Sequence, residues 1–211
     1  MLRITSGEYR NRRIEIPDTD QLRPMLEKPR MALFSILGQD FAVGERVLDC
    51  FAGSGVLGLE ALSRGASHAV FYDTHPVHVE ALRKLVATLG CGARCTIHRA
   101  DVMHMLRPKG SVTERPRGEA APFRLIFVDP PHAMSKDMGG EFYEWFADFS
   151  HHADVDGRSV TIFGHAAETV SPQECGLWRR FDTRVYGSVA ISLFERGDLA
   201  PKCRTLYEGK L

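Results

Sequence analysis

From Val47 to Ala66 the chain reads V-L-D-C-F-A-G-S-G-V-L-G-L-E-A-L-S-R-G-A. An apolar run ends in Asp49, a turn carrying Gly53 and Gly55 follows, and the apolar spacing then becomes helical through Gly58. A strand that ends in an acid and passes through a glycine turn into a helix suits a nucleoside ligand held at the carboxyl end of a parallel strand. The alternation continues on the C-terminal side. Periodicity predicts strand 46–49, helix 56–63, strand 68–72, helix 76–89 and strand 94–98, with Asp101 opening a short helix. Strands joined by crossover helices pair in parallel, so the fold class is α/β.

A second decisive stretch lies about eighty residues on, where the apolar strand 123–128 runs straight into Asp129-Pro130-Pro131-His132. Beyond it the pattern predicts a helix over 140–149, a strand over 158–163, and two strands within 178–194 that turn near Gly187. On the N-terminal side, residues 2–16 read as a hairpin turning near Gly7 to Asn11. Pro29 fits the first turn of a helix that Gly38 ends. Residues 107–122 lack periodicity and are rich in Pro, Gly and charge, which predicts a surface loop. The organisation expected is a basic hairpin arm over 1–22, one domain over 23–196 and a tail over 197–211.

The chain has 211 residues, 44% hydrophobic and 26% charged, and zero formal net charge, which is ordinary for a globular domain. That balance is local rather than uniform: Arg3, Arg10, Arg12 and Arg13 stand against only Glu8 in the arm. A basic arm of this kind suits a polyanionic partner. No run approaches the roughly 18 apolar residues that span a bilayer, and the N-terminus lacks the apolar core of a secretion signal, so a cytoplasmic protein without membrane contact is expected. Five cysteines at scattered spacings read as reduced thiols. Cys91 and Cys95 lack a second pair at zinc spacing, and His75/His78 and His151/His152 read as solvated, so no metal is expected.

Gly53, Gly55 and Gly58 formally spell G-x-G-x-x-G, with Asp73 about twenty residues further on, so a dinucleotide dehydrogenase has to be weighed. Against it, nothing in the chain supplies a hydride-transfer acid or a second substrate domain. Asp49 stands where a dinucleotide fold normally stays apolar, and an acid there can meet a cationic group such as the amino group of S-adenosylmethionine. Asp73 can accept from both ribose hydroxyls, and Asp101 from an adenine amino group. The structural alternative makes Asp49 and Asp101 simple helix-capping or loop acids.

Together the stretch L-D-C-F-A-G-S-G-x-L-G-L-E-A-L-S-R-G-A, the L-R-P at 22–24, I-F-V-D-P-P at 126–131 and Y-G-S-V-A-I-S-L-F-E-R at 186–196 resemble the bacterial 16S rRNA guanine-N2 methyltransferases. The resemblance covers nearly the whole chain. It implies a class I, Rossmann-like S-adenosylmethionine-dependent methyltransferase fold: a seven-stranded, mostly parallel sheet with its last strand antiparallel, preceded by an RNA-contacting hairpin. The implied cofactor is S-adenosylmethionine, held by Asp49, Gly53, Gly55, Asp73 and Asp101 with their neighbours Phe51, Thr74 and Val102. Arg10, Arg12, Arg13 and Arg23 are the implied phosphate contacts. The implied partner is 16S rRNA or an assembling small ribosomal subunit, met by a monomer.

An exocyclic base amine is a poor nucleophile because its lone pair is delocalised into the ring, so geometry has to help it. Pro130 and Pro131 stiffen their segment and present carbonyl oxygens without competing donors. Asp129 and the Pro130 carbonyl can each accept one amine hydrogen, and positioning of this kind is worth about 7–11 kcal/mol of barrier. His132 stands where the resembling family carries Phe or Tyr, and its imidazole offers a planar face to an extruded base. Further departures are Met25, Leu26 and Pro29 in the arm, Asn11 where glycine is usual, Leu85 where Asn is common, and the long loop at 107–122. Two other readings stay open: an adenine-N6 methyltransferase of DNA or RNA, since Asp-Pro-Pro serves several amino-methyltransferases, and a catalytically weak assembly factor that binds the cofactor or rRNA.

Overall fold

The computed structural model describes residues 2–16, 25–105, 121–136, 140–152 and 155–197. Arg23, nearly all of the loop predicted over 107–122, and the tail beyond Gly197 lie outside them. The described residues form two compact units, one through Asp101 and the other from Val102 onward.

The first unit opens with the arm, in which β1 (Leu2–Arg3) pairs antiparallel with β2 (Arg13–Ile14). Its turn closes through Asn11 N–H to the Ile4 carbonyl at 2.9 Å and Ile4 N–H to the Arg12 carbonyl at 3.0 Å. Asn11 has φ 66°, a left-handed conformation that glycine takes freely and asparagine tolerates, which explains the residue type at this position. Helix α1 (Glu27–Leu37) follows, with Pro29 in its first turn and Gly38 at its end. Then come β3 (Arg46–Asp49), α2 (Val56–Ser63), β4 (His68–Asp73), α3 (Pro76–Leu89), a single 3₁₀ turn (Gly92–Arg94) and β5 (Cys95–Arg99). The strands pair in parallel, β3 with β4 and β4 with β5, as crossover helices require. Val47, Leu48, Ala69 and Phe71 are fully buried, consistent with strands covered on both faces.

A buried charge cluster ties the arm to this unit. Arg30 and Glu60 have fully buried side chains and meet at 3.3 Å. The Glu60 carboxylate also accepts from Thr5 N–H (2.9 Å), the Thr5 hydroxyl (2.6 Å), Ser6 N–H (3.1 Å) and the Arg64 guanidinium (2.9 Å). Arg30 donates onward to the Met25 and Arg3 carbonyls. Burial lowers the Arg30 pKa, and Glu60 works against that shift. One turn further along α2, the Ser63 carbonyl and hydroxyl accept from Glu8 N–H (2.7 Å) and Tyr9 N–H (2.8 Å). Gly7, at φ 81°, lies so close that a Cβ would fall 1.7 Å from the Ser63 carbonyl oxygen. Thus L-E-A-L-S-R at 59–64, read first as a helix pattern, is also the seat of the arm.

The second unit contains α4 (Val102–Met105), β6 (Phe123–Val128), α5 (Glu141–Phe149), β7 (Val160–Ala166), β8 (Glu174–Cys175), β9 (Trp178–Tyr186) and β10 (Val189–Arg196). Strand β6 pairs parallel with β7, β10 lies antiparallel to both β7 and β9, and β8 borders β9. The units thus hold three and five sheet strands where seven were expected. The addition is β8, two residues too short to show as a period in the sequence. The core of this unit is aromatic: α5 buries Phe142, Tyr143, Trp145, Phe146 and Phe149 against Phe163, Trp178 and Phe194. Each such ring contributes about 1.5–3 kcal/mol of burial.

Candidate active site

Parallel pairing sets the carboxyl ends of β3, β4 and β5 side by side, and Asp49, Asp73 and Asp101 follow at those ends. The Gly53 turn is held by one of these acids. Gly53 N–H donates to Asp73 Oδ2 at 2.7 Å, and His75 N–H donates to Oδ1 at 2.7 Å, so Asp73 pins the loops after both β3 and β4. An ionised carboxylate has about four acceptor positions, so these bonds leave capacity for ribose hydroxyls. Gly53 and Gly55 both have positive φ, and a Cβ on Gly55 would meet Leu82 at 2.3 Å. A side chain on Gly58 would meet the Phe71 ring at 2.3 Å, so the third glycine serves helix-on-strand packing. Within the turn, the Ser54 hydroxyl is buried and has no hydrogen-bond partner among the described residues.

Other residues are placed differently from their sequence reading. Asp49 is 1% exposed and gives one oxygen to Gly58 N–H at 3.1 Å, so the helix-capping alternative holds for that oxygen. His78, read as solvated, is buried with Nδ1 3.3 Å from Asp73 Oδ1 and its ring stacked on His75 at 4.2 Å. The i, i+3 spacing on α3 and the acid before the helix turn it inward. Phe51 is half-buried, Thr74 is exposed, and Val102 sinks its side chain into the core, leaving only its backbone to meet a ligand. Among the described residues no group of three or more His, Cys, Asp or Glu could hold a metal ion.

In the second unit Asp129 follows β6, which pairs with β7 in the register Val128↔Phe163. Gly164, the next residue of β7, lies beneath the Asp129 side chain, where a Cβ would fall 2.1 Å from Oδ1. Burial pushes the Asp129 carboxyl up to about 6, so near neutrality it is ionised yet poorly solvated, the state of a strong hydrogen-bond acceptor. Pro130 is buried, and the following turn is braced by Met134 N–H to the Pro131 carbonyl (2.8 Å), the Ser135 hydroxyl to the His132 carbonyl (3.3 Å) and the Tyr143 hydroxyl to the Ser135 carbonyl (3.0 Å). His132 is half-buried.

Sequence reasoning missed His165, buried on β7. Its Nδ1 lies 2.9 Å from the Ala166 carbonyl, so Nδ1 carries the proton and Nε2 accepts from Ser192, which shares a further contact with Thr183. Burial first, then the neighbouring Arg180 and His132, lower its pKa and keep it neutral. The registers of β7 and β9 against β10 bring these residues together.

Arg10, Arg12 and Arg13 are exposed around the hairpin. The hairpin seats on Ser63, the last residue of α2, and Arg94, just before β5, ion-pairs with Glu8 at 2.7 Å. These contacts lie at the amino ends of the strands. The contacts that seat the arm are therefore at the opposite ends of these strands from Asp49, Asp73 and Asp101.

A family model described as conserved hypothetical protein 95 matches residues 2–195. The chain is 32% identical over 195 residues to ribosomal RNA small subunit methyltransferase D of Escherichia coli K12, covering 92% of this chain and 90% of that protein. It is also similar to the solved structure of yhhF from Escherichia coli, with TM-score 0.74 and 28% identity over 92% of this chain and 97% of that one. The RNA methyltransferase of Salinibacter ruber, solved in complex with S-adenosyl-L-homocysteine, shares the fold at TM-score 0.55 and 10% identity, over 85% of this chain and 97% of that one.

Proposed function

We infer that the chain, which belongs to the conserved hypothetical protein 95 family, is an S-adenosylmethionine-dependent methyltransferase acting on small-subunit ribosomal RNA. The observation that carries this reading is the 32% identity across 92% of the chain to the small subunit methyltransferase. The acceptor we propose is the exocyclic N2 amine of a guanine in 16S rRNA, and the enzyme works as a cytoplasmic monomer on an assembling small subunit.

The chemistry of the first unit fits the cofactor. Positive-φ glycines leave space for close backbone approach, Asp73 retains acceptor capacity, and the Ser54 hydroxyl is buried without a partner among the described residues. The residues that would hold S-adenosylmethionine are Asp49, Phe51, Gly53, Gly55, Asp73, Thr74, Asp101 and the Val102 backbone. When bound, it supplies a methyl group on a cationic sulfur.

The protein's own task is to hold the amine. In this reading Asp129 accepts one amine hydrogen and the Pro130 carbonyl the other. Both acceptors are stiff, Asp129 because it rests on Gly164 and Pro130 because its ring is buried. Removing hydrogen-bonding freedom from the amine fixes the direction of its lone pair. His132 offers its ring face to the displaced base. Arg10, Arg12, Arg13 and Arg23 bind phosphates of the same RNA.

The test is nucleoside analysis and fragment mapping of 16S rRNA from cells with and without the gene. Loss of one N2-methylguanosine, restored by wild-type protein and not by Asp129→Ala, is the expected result. Loss of N6-methyladenosine instead replaces the guanine assignment with adenine, and no change in any methylated base refutes the enzymatic reading.

A further inference from the structure

Away from these residues, at the amino end of β5, two thiols face each other. Cys91 follows Gly90, the C-cap of α3, and Cys95 opens β5, with only the 3₁₀ turn Gly92–Arg94 between them. Their Sγ atoms are 3.8 Å apart, with Cys95 oriented to donate to Cys91. A disulfide needs about 2.05 Å, so closure requires an approach of about 1.8 Å. Gly90 and Gly92 flank Cys91, and neither has another group within 4 Å of where its Cβ would be, so the backbone has room for that shift. The Cys95 hydrogen bond lowers the Cys91 thiol against its burial, with Arg94 helping, and the same hydrogen bond together with burial raises Cys95, which marks Cys91 as the attacking sulfur. Cys50 is fully buried and pushed well up, and Cys175 is pushed up to about 11, so neither competes as a nucleophile.

The turn between the two cysteines also holds the arm. The Arg94 guanidinium contacts Glu8 at 2.7 Å and the Tyr9 hydroxyl, and lies 5.6 Å over the Tyr9 ring. Drawing Cys91 and Cys95 together reshapes the three residues that aim Arg94.

We propose that Cys91 and Cys95 form a peroxide-responsive dithiol whose closure to a disulfide loosens the tip of the N-terminal arm. Cys91 is 2% exposed, and hydrogen peroxide, small and uncharged, is the class of oxidant that such a site admits. The Cys91 thiolate attacks one peroxide oxygen, the O–O bond breaks, and hydroxide leaves behind a sulfenic acid. The Cys95 sulfur then attacks the sulfenic sulfur. The S–S bond forms, the S–O bond breaks, and the departing hydroxide takes the Cys95 proton as water. The two thiols lose two electrons in total and peroxide gains them.

Trypsin offers a direct readout, because it cleaves after Arg94, between the two cysteines. The full-length protein is treated with a few equivalents of hydrogen peroxide, alkylated and digested. The expected product is peptide 85–94 joined to peptide 95–99, released by dithiothreitol, with an intact mass about 2 Da lower before digestion. In brief native digestion, cleavage after Arg10, Arg12 and Arg13 accelerates several-fold on oxidation and returns to its starting rate on reduction. Cys95→Ser abolishes both the mass change and the acceleration. Recovery of Cys91 and Cys95 as freely alkylated thiols, or an unchanged mass loss in Cys95→Ser, overturns the dithiol. A disulfide that leaves arm cleavage unaltered overturns its link to the arm.

Discussion

Replacing Glu60 by alanine tests whether the buried charge cluster is the hinge on which the arm hangs. The substitution strips Arg30 of its carboxylate while its side chain stays fully buried, and strips Thr5 and Ser6 of the acceptor for their N–H groups. Breaking a buried ion pair by removing one partner costs about 3–5 kcal/mol, and each buried donor left without a partner costs about 1–3 kcal/mol. Water entering the space left by the side chain offsets part of the second cost, so a net loss of about 5 kcal/mol is expected, a large share of a typical 5–15 kcal/mol total. For a protein of this size that corresponds to a fall of about 10–20 °C in Tm. Urea and thermal unfolding followed by circular dichroism measure it, and native trypsin digestion reports on the arm. The double replacement Arg30→Met with Glu60→Leu recovers the part of the loss due to the unpaired Arg30 charge, while the share from the stranded Thr5 and Ser6 donors remains. A loss below about 1.5 kcal/mol for Glu60→Ala, or an arm that stays protease-resistant, refutes the reasoning.

Asp129 titrates near 6 instead of the ordinary 3.8, so the folded protein binds that proton more tightly than the unfolded chain. Its contribution to stability is present below about pH 4 and lost as pH rises through 6, by up to about 3 kcal/mol. Methyl transfer has the opposite dependence, falling as pH drops through 6. Asp129→Asn flattens the stability profile between pH 4 and 6.5 and abolishes turnover, both readable by denaturation and a radiolabelled methyl assay. Gly164→Ala pushes a methyl group into the Asp129 carboxyl and lowers kcat by about 10²-fold or more with little change in S-adenosylmethionine affinity; equal kcat in the variant contradicts the placement of Asp129 on Gly164. Asp73→Ala removes both the proposed ribose acceptor and the anchor of Gly53, so calorimetry finds cofactor affinity at least tenfold weaker, and unchanged affinity rejects the assignment.

What could be read from the chain alone was whatever the backbone settles within a few residues. Strand β3, helix α2, helix α3 and strand β6 have the predicted bounds, because apolar periodicity, glycine turns and proline stops act locally. The parallel pairing followed from crossover helices, and the Gly53 turn and Asp129-Pro130-Pro131 were legible because their chemistry is contiguous. Two-residue β8 was not, since no period fits in two residues. Nor could any pattern show that Asp73 anchors Gly53, that His78 turns inward onto Asp73, or that Glu60 and Ser63 seat an arm more than fifty residues away. Strand register alone places Gly164 under Asp129 and His165 against Ser192. Local sequence determined which elements form and which ends carry chemistry. Tertiary packing decided which polar groups leave water, and with them the state of Asp129 and the hold on the arm, because desolvation and hydrogen-bond geometry depend on neighbours that only the folded chain brings within reach.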